Sequence, residues 1–130
     1  MTMSMSHKVS PDALALYLLS KGLLHDCSVS FQYKDGHRLE LHIPDVNAAF
    51  KGLPEYEGCM ACVIALEGVT KPDPATEGPV FKVFEAMIEK SSDGDTADGL
   101  IATFWPEGYL RIAFSHATVS EIATGRDVPR

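Results

Sequence analysis

At 130 residues the chain has the length of one domain with a single hydrophobic core, and 45% apolar with 22% charged residues excludes wholesale disorder. A net charge of −7, with no local Lys/Arg cluster, repels a phosphate backbone and argues against nucleic acid as a partner. An acidic surface instead steers basic proteins, or simply keeps the chain soluble.

In chain order, residues 1–9, "MTMSMSHKV", lack the basic-then-apolar layout of a secretory signal and read as a disordered tail. "SPDALALYLLSKG" reads as a helix. Ser10 suits the N-cap, Pro11 the first helical position, Asp12 the first turn, Lys21 the last turn and Gly22 the C′ position. Leu14, Tyr17, Leu18 and Lys21 keep helical spacing, with Leu16 and Leu19 broadening the apolar stripe. Neither "ALALYLL" here nor "CMACVIAL" further on approaches the ~20 residues of a membrane-spanning helix. A cytoplasmic protein away from membranes is expected, and three cysteines, an odd number, fit reduced thiols.

"CSVSFQYKDGHRLELHI" alternates apolar and polar residues on both sides of a turn, the pattern of a β-hairpin. A two-residue Asp35-Gly36 loop would set Phe31 opposite Glu40 and mix the faces. A three-residue loop, Lys34-Asp35-Gly36, pairs Phe31 with Leu39, Val29 with Leu41 and Cys27 with Ile43, and is the expected arrangement, with Gly36 in the left-handed position. The other face then pairs Ser28 with His42, Ser30 with Glu40 and Gln32 with Arg38. It reads first as the solvated side of an antiparallel sheet and second as a contact surface.

"DVNAAFKGLPEYEG" reads as a connector with a short helical turn, and "CMACVIALEGV" as a central strand covered on both faces. Three prolines make "TKPDPATEGP" a loop. Val80, Val83, Phe84, Met87 and Ile88 predict an amphipathic helix starting near Pro79, and "SSDGDTADG" is an acidic loop. In "LIATFWPEGYLRIAFSHATVSEI" a Pro106-Glu107-Gly108 loop pairs Phe104 with Leu110, Ala102 with Ile112 and Leu100 with Phe114. A further strand follows. The predicted order is α-β-β-β-α-β-β-β, an α+β domain over residues 10–124. Its largely antiparallel sheet of about six strands is packed by two helices, and residues 125–130 form a C-terminal tail.

Motifs for chemistry fail on inspection. Cys59-Met60-Ala61-Cys62 has CxxC spacing, but in a strand the two sulfurs point to opposite faces, so both read as small buried hydrophobes. "DGDTADG" fails as a calcium loop: Ala97, Asp98 and Phe104 fall where a ligand, the glycine and the bidentate glutamate belong. His25-Asp26 resembles the metal-binding pair of HD-type phosphohydrolases, without the further ligands of that scaffold; capping or hydrogen bonding is the simpler reading. An alternative metal or small-molecule site would be built on His25, Asp26 and His42. The sequence offers no phosphate loop, no nucleophile elbow and no paired carboxylates, so no catalytic residue, cofactor or enzymatic activity is expected.

The second hairpin is expected to carry Trp105 beside Tyr109, and Thr103 beside Arg111, on the face opposite Phe104. The aromatic pair is core if a helix covers that face and a docking site if none does; the equally apolar opposite face tips the reading toward core.

"LLHDCSVSFQYKDGHRLELHI" and "GLIATFWPEGYLRIAFSHATVSEI" together resemble a group of small bacterial proteins that serve polymorphic toxins as immunity factors. The pattern is a His-Asp pair opening a hairpin, an apolar strand ending in Gly-Val, and a terminal hairpin with an Ala-x-Val strand. Here these are His25-Asp26, Glu67-Gly68-Val69 and Ala117-Thr118-Val119, across most of residues 24–122. Cys27 departs from the small residue expected there, and the N-terminal helix lies outside the pattern. The resemblance implies a toxin-neutralising protein that binds a cognate, basic toxin domain stoichiometrically. Glu55, Glu57, Asp93, Asp95 and Asp98 would supply the charge, and Trp105 and Tyr109 the anchor. A homodimer is a further expected partner state.

Overall fold

The computed structural model describes residues 3–34, 37–69, 80–90, 98–105 and 107–123. The helix forms where its caps predict. Ser10 Oγ accepts from Ala13 N at 3.2 Å, Pro11 opens α1 (Pro11–Ser20), and Gly22 follows with φ 64°. Leu14 and Leu18 are fully buried; Leu16 and Leu19 are exposed, so the apolar stripe is narrower than predicted.

The rest is β-structure. The strands are β1 (Met3–Val9), β2 (Ser28–Lys34), β3 (Arg38–Ile43), β4 (Met60–Glu67), β5 (Val80–Glu89), β6 (Gly99–Trp105), β7 (Tyr109–Ala113) and β8 (His116–Ala123). They form one antiparallel sheet in the order β1-β8-β4-β3-β2-β5-β6-β7. The expected α+β arrangement, about six strands packed by two helices, is therefore corrected to eight strands with one α-helix and two short 3₁₀ turns among the described residues, one of them the turn foreseen in the connector (Ala48–Phe50). Among the described residues, no helix is long and apolar enough to cross a membrane.

Two corrections account for the difference. Residues 3–9, expected as a frayed tail, form β1 along the full length of Ala117–Ala123. The ladder partner, not local hydrophobicity, orders this polar segment. Residues 80–89, expected as a helix, form β5. Val83 pairs with Phe104 and Glu85 with Thr103, leaving Phe84 as the extra residue of a β-bulge. The bulge separates the buried Val83 and Ala86 by three residues, which imitates helical spacing.

Both hairpins keep the predicted faces and slide by two residues. Phe31 pairs with Leu41 and Tyr33 with Leu39 rather than Phe31 with Leu39; Ala102 pairs with Leu110 and Leu100 with Ile112. A two-residue shift preserves every inward side chain, so burial does not distinguish the registers. The strands pair as far as Lys34 and Arg38, so Lys34 belongs to the strand and not to the loop; the left-handed position assigned to Gly36 lies outside the described residues.

The sheet is strongly curled. On a flat sheet β7 and β8 would lie six strand spacings apart, roughly 29 Å. Only Phe114 and Ser115 join them, a link that spans at most about 11 Å. Phe114 N donates to Asp98 O and Ser115 N to Glu67 O, pinning this closure. β2 meets β5 over only Ser28–Ser30, so the sheet divides into a five-stranded part (β1-β8-β4-β3-β2) and a three-stranded part (β5-β6-β7). α1 lies inside the curl, chiefly against β5 and also against β1 and β8. Phe31 on β2 bridges the two parts, edge-on to Phe81 at 5.8 Å and to Phe104 at 6.2 Å. At the C-terminal end of α1, Tyr17 donates to Glu121 Oε2 at 2.7 Å and Lys21 to Asn47 Oδ1 at 3.1 Å, satisfying the polar groups there.

Candidate functional site

The two parts of the sheet present different outer faces. On β3 and β4, Arg38 Nε donates to Glu40 Oε2 at 3.1 Å and Arg38 Nη1 to Glu67 Oε2; His42 Nε2 donates to Glu40 Oε1 at 2.9 Å. Burial pushes the Glu40 carboxyl up, but the hydrogen bonds from His42 and Arg38 outweigh it and hold it below the usual carboxylate range. This face is closed on itself.

On β5, β6 and β7 the outer face carries exposed apolar side chains among Lys82, Glu85, Thr103 and Arg111. Val80, Phe84 and Met87 are exposed on β5, with Trp105 at 50% and Tyr109 at 64% exposure beside them. α1 packs against β5 from within, and the aromatic residues expected as core are on the surface. Tyr109 sits across from Thr103 instead of Trp105, and Lys82 across from Trp105. Trp105 stands edge-on to Phe84 at 5.1 Å. Beneath them the Thr103 hydroxyl is shielded from solvent, with no hydrogen-bond partner among the described residues.

The bulge sets the position of Phe84. His25 Nδ1 lies 2.8 Å from Phe84 O, and since a carbonyl can only accept, that nitrogen carries the proton. The imidazole also stands edge-on to the Phe84 ring at 5.5 Å. His25 belongs to a tight turn in which Leu23, Leu24 and Asp26 have φ of 56°, 59° and 66°. Left-handed backbone costs a non-glycine residue about 1–2 kcal/mol, so surrounding contacts must hold the turn. One contact is visible at Gly22, where an added Cβ would lie 2.7 Å from Ala49 Cβ.

Of the residues of the alternative metal or small-molecule site, His25 Nε2 and Asp26 Oδ2 lie 3.6 Å apart, while His42 stands away from both in a hollow beside Ser30 and Ala61. His25 lines an apolar slot, and Asp26 a polar depression with Ser28, Lys51 and Lys82. Among the described residues, no three His, Cys, Asp or Glu side chains come together to hold a metal. The cysteines are free and have separate surroundings. Cys27 Sγ lies 3.3 Å from Asp45 O, Cys59 Sγ 3.4 Å from Pro44 O, and Cys62 Sγ 3.5 Å from the Tyr17 hydroxyl. Burial pushes the Cys27 and Cys62 thiols up to about 11, keeping both protonated at neutral pH.

Of the acidic candidates, Glu55 and Glu57 are exposed on the connector, in a shallow depression shared with Phe50. Asp98 is engaged structurally: its carboxylate meets Lys90 at 3.1 Å, and Lys90 also reaches Asp12 at 2.6 Å. Asp93 and Asp95 lie outside the described residues. Phe84 and Leu53 were not foreseen at this site; a hydrogen-bonding role was expected for His25, but not its partner, Phe84 O. The spacing of three within an otherwise alternating β5 was the one available signal for Phe84. Compared with family models, with curated proteins and with solved structures, the chain matches none.

Proposed function

We propose that this chain is a toxin-neutralising protein of the immunity type, which binds a basic toxin domain stoichiometrically and performs no chemistry of its own. The observation that carries the reading is the exposed aromatic strip Phe84-Trp105-Tyr109 on an uncovered sheet face of an acidic chain. Exposed Trp and Tyr are the residues most enriched in interface hot spots, and complementary charge accelerates encounter with a basic partner. The sequence pattern opening at His25-Asp26 supports the same reading.

Co-expression with a basic toxin domain, sought among the neighbouring genes, tests it. The expected result is a stoichiometric complex that suppresses toxicity and associates more slowly as salt rises. Absence of association at micromolar concentration would sink the proposal.

A further inference from the structure

The slot beside His25 goes further than the flat aromatic strip. It has a volume of about 430 Å³ and is lined by Leu23, His25, Phe50, Leu53, Phe84 and Glu85, among others. That size lies within the ~300–1,000 Å³ of ligand pockets, and the lining is mostly apolar around a few polar groups, as such pockets are. Its walls come from three segments: the left-handed turn at residues 22–26, the 3₁₀ turn Ala48–Phe50 with Leu53 after it, and the bulge at Phe84. They hold one another through the His25 hydrogen bond to Phe84 O and the close approach of Gly22 to Ala49. Leu53 is 51% exposed at the rim, and Trp105 continues the apolar surface from Phe84.

The charge around the slot selects the occupant. Glu85 is part of the wall, and Phe50 also borders the depression that holds Glu55 and Glu57 with Lys21, whose ammonium is engaged by Asn47 and Glu121. Lys51 and Lys82 line a different depression, with Asp26 and Asp45. A second copy of this acidic chain would bring like charges together; a basic segment would not. We infer that the slot is an anchor pocket for one bulky apolar side chain of a basic protein segment, whose flanking Lys or Arg residues meet Glu85, Glu55 and Glu57. This rests on the protein-docking reading above and names the place where docking is anchored. The left-handed turn, locked by His25 on the bulge carbonyl, keeps the pocket formed before the partner arrives, which lowers the ordering cost of binding.

The test is an NMR amide titration of the full chain with a short Lys/Arg-rich peptide carrying one central tryptophan. Two controls accompany it, the same peptide with alanine for tryptophan and one with glutamates for the basic residues. The expected result is shifts at Leu23, His25, Ala49, Leu53 and Phe84, with binding at least about tenfold weaker for either control. Leu53→Asp should weaken the basic peptide by a similar factor with an unchanged melting curve. Glu85→Lys should reverse the preference between basic and acidic peptides.

Shifts confined to Trp105 and Tyr109 would overturn the slot while leaving outer-face docking intact. No shift with any peptide would overturn it as well. Concentration-dependent shifts of the slot amides without peptide would assign the pocket to a second copy. Equal binding of free indole would overturn the basic-segment occupant. Failure of the immunity reading is seen separately, in the toxin co-expression.

Discussion

The five-stranded and three-stranded parts of one continuous sheet share a core and differ outside. On the first, Arg38, Glu40, His42 and Glu67 satisfy one another, so the surface offers a partner little that water does not already supply. On the second, Phe84, Trp105 and Tyr109 stand in solvent, with Arg111 and Glu89 closing an ion pair at the margin. Interior packing is therefore a poor guide to which side of a sheet works. The division between a satisfied and an unsatisfied exterior is better, since large exposed apolar clusters mark interaction sites more often than scattered single residues do.

The comparison breaks if the two parts do not fold as one unit, and Phe31→Ala tests this. The ring is fully buried and touches both Phe81 and Phe104 across the junction. We expect a loss of about 3–5 kcal/mol from the cavity, with Trp105 fluorescence and far-UV circular dichroism moving to the same lower denaturant midpoint. Separate midpoints would show two independent units.

The functional contrast is sharpened by truncating the aromatic strip. Trp105→Ala or Tyr109→Ala should weaken binding of the proposed toxin domain by about 2 kcal/mol or more, measured by calorimetry. Neither should cost more than about 1 kcal/mol in folding, since both side chains are half exposed or more. The reverse pattern would make the strip a folding element.

A smaller effect is expected on the closed face. Glu40→Gln should cost about 0.2–1 kcal/mol at neutral pH. Because the folded carboxyl titrates below its unfolded value of about 4.3, that stabilisation is complete above this pH and lost as pH falls through the folded value. Denaturation of wild type and variant should thus converge on acidification and differ at pH 7. A gap that persists in strong acid would contradict the charged network. Thr103→Val should raise stability by about 1 kcal/mol or less by removing a shielded, unpartnered hydroxyl; a loss would mean that the hydroxyl has a partner.

What the sequence made legible was local. Ser10, Pro11 and Gly22 bound α1 because caps act within one turn, and the inward sets of both hairpins follow from a period of two. Registers slid by two because nothing in an alternating pattern penalises that shift. β5 was mistaken for a helix because one inserted residue at Phe84 shifts the phase of its alternation, and β1 was missed because its order comes from a strand more than a hundred residues away. The candidate site divides similarly. Trp105 and Tyr109 could be named from a hairpin, but the slot needed Leu23, Phe50, Leu53 and Phe84, which only the tertiary fold brings together.

β8 lies between β1 and β4, bonded on both sides along its length. A growing chain therefore makes both neighbours well before it makes the strand that joins them. Roughly fifty residues separate the end of β4 from the start of β8, a few seconds of synthesis at ~5–20 residues per second. Through that interval β4 has an open ladder and β1 lacks this partner, so the nascent protein is most vulnerable to chaperone capture or mispairing just before β8 slides home.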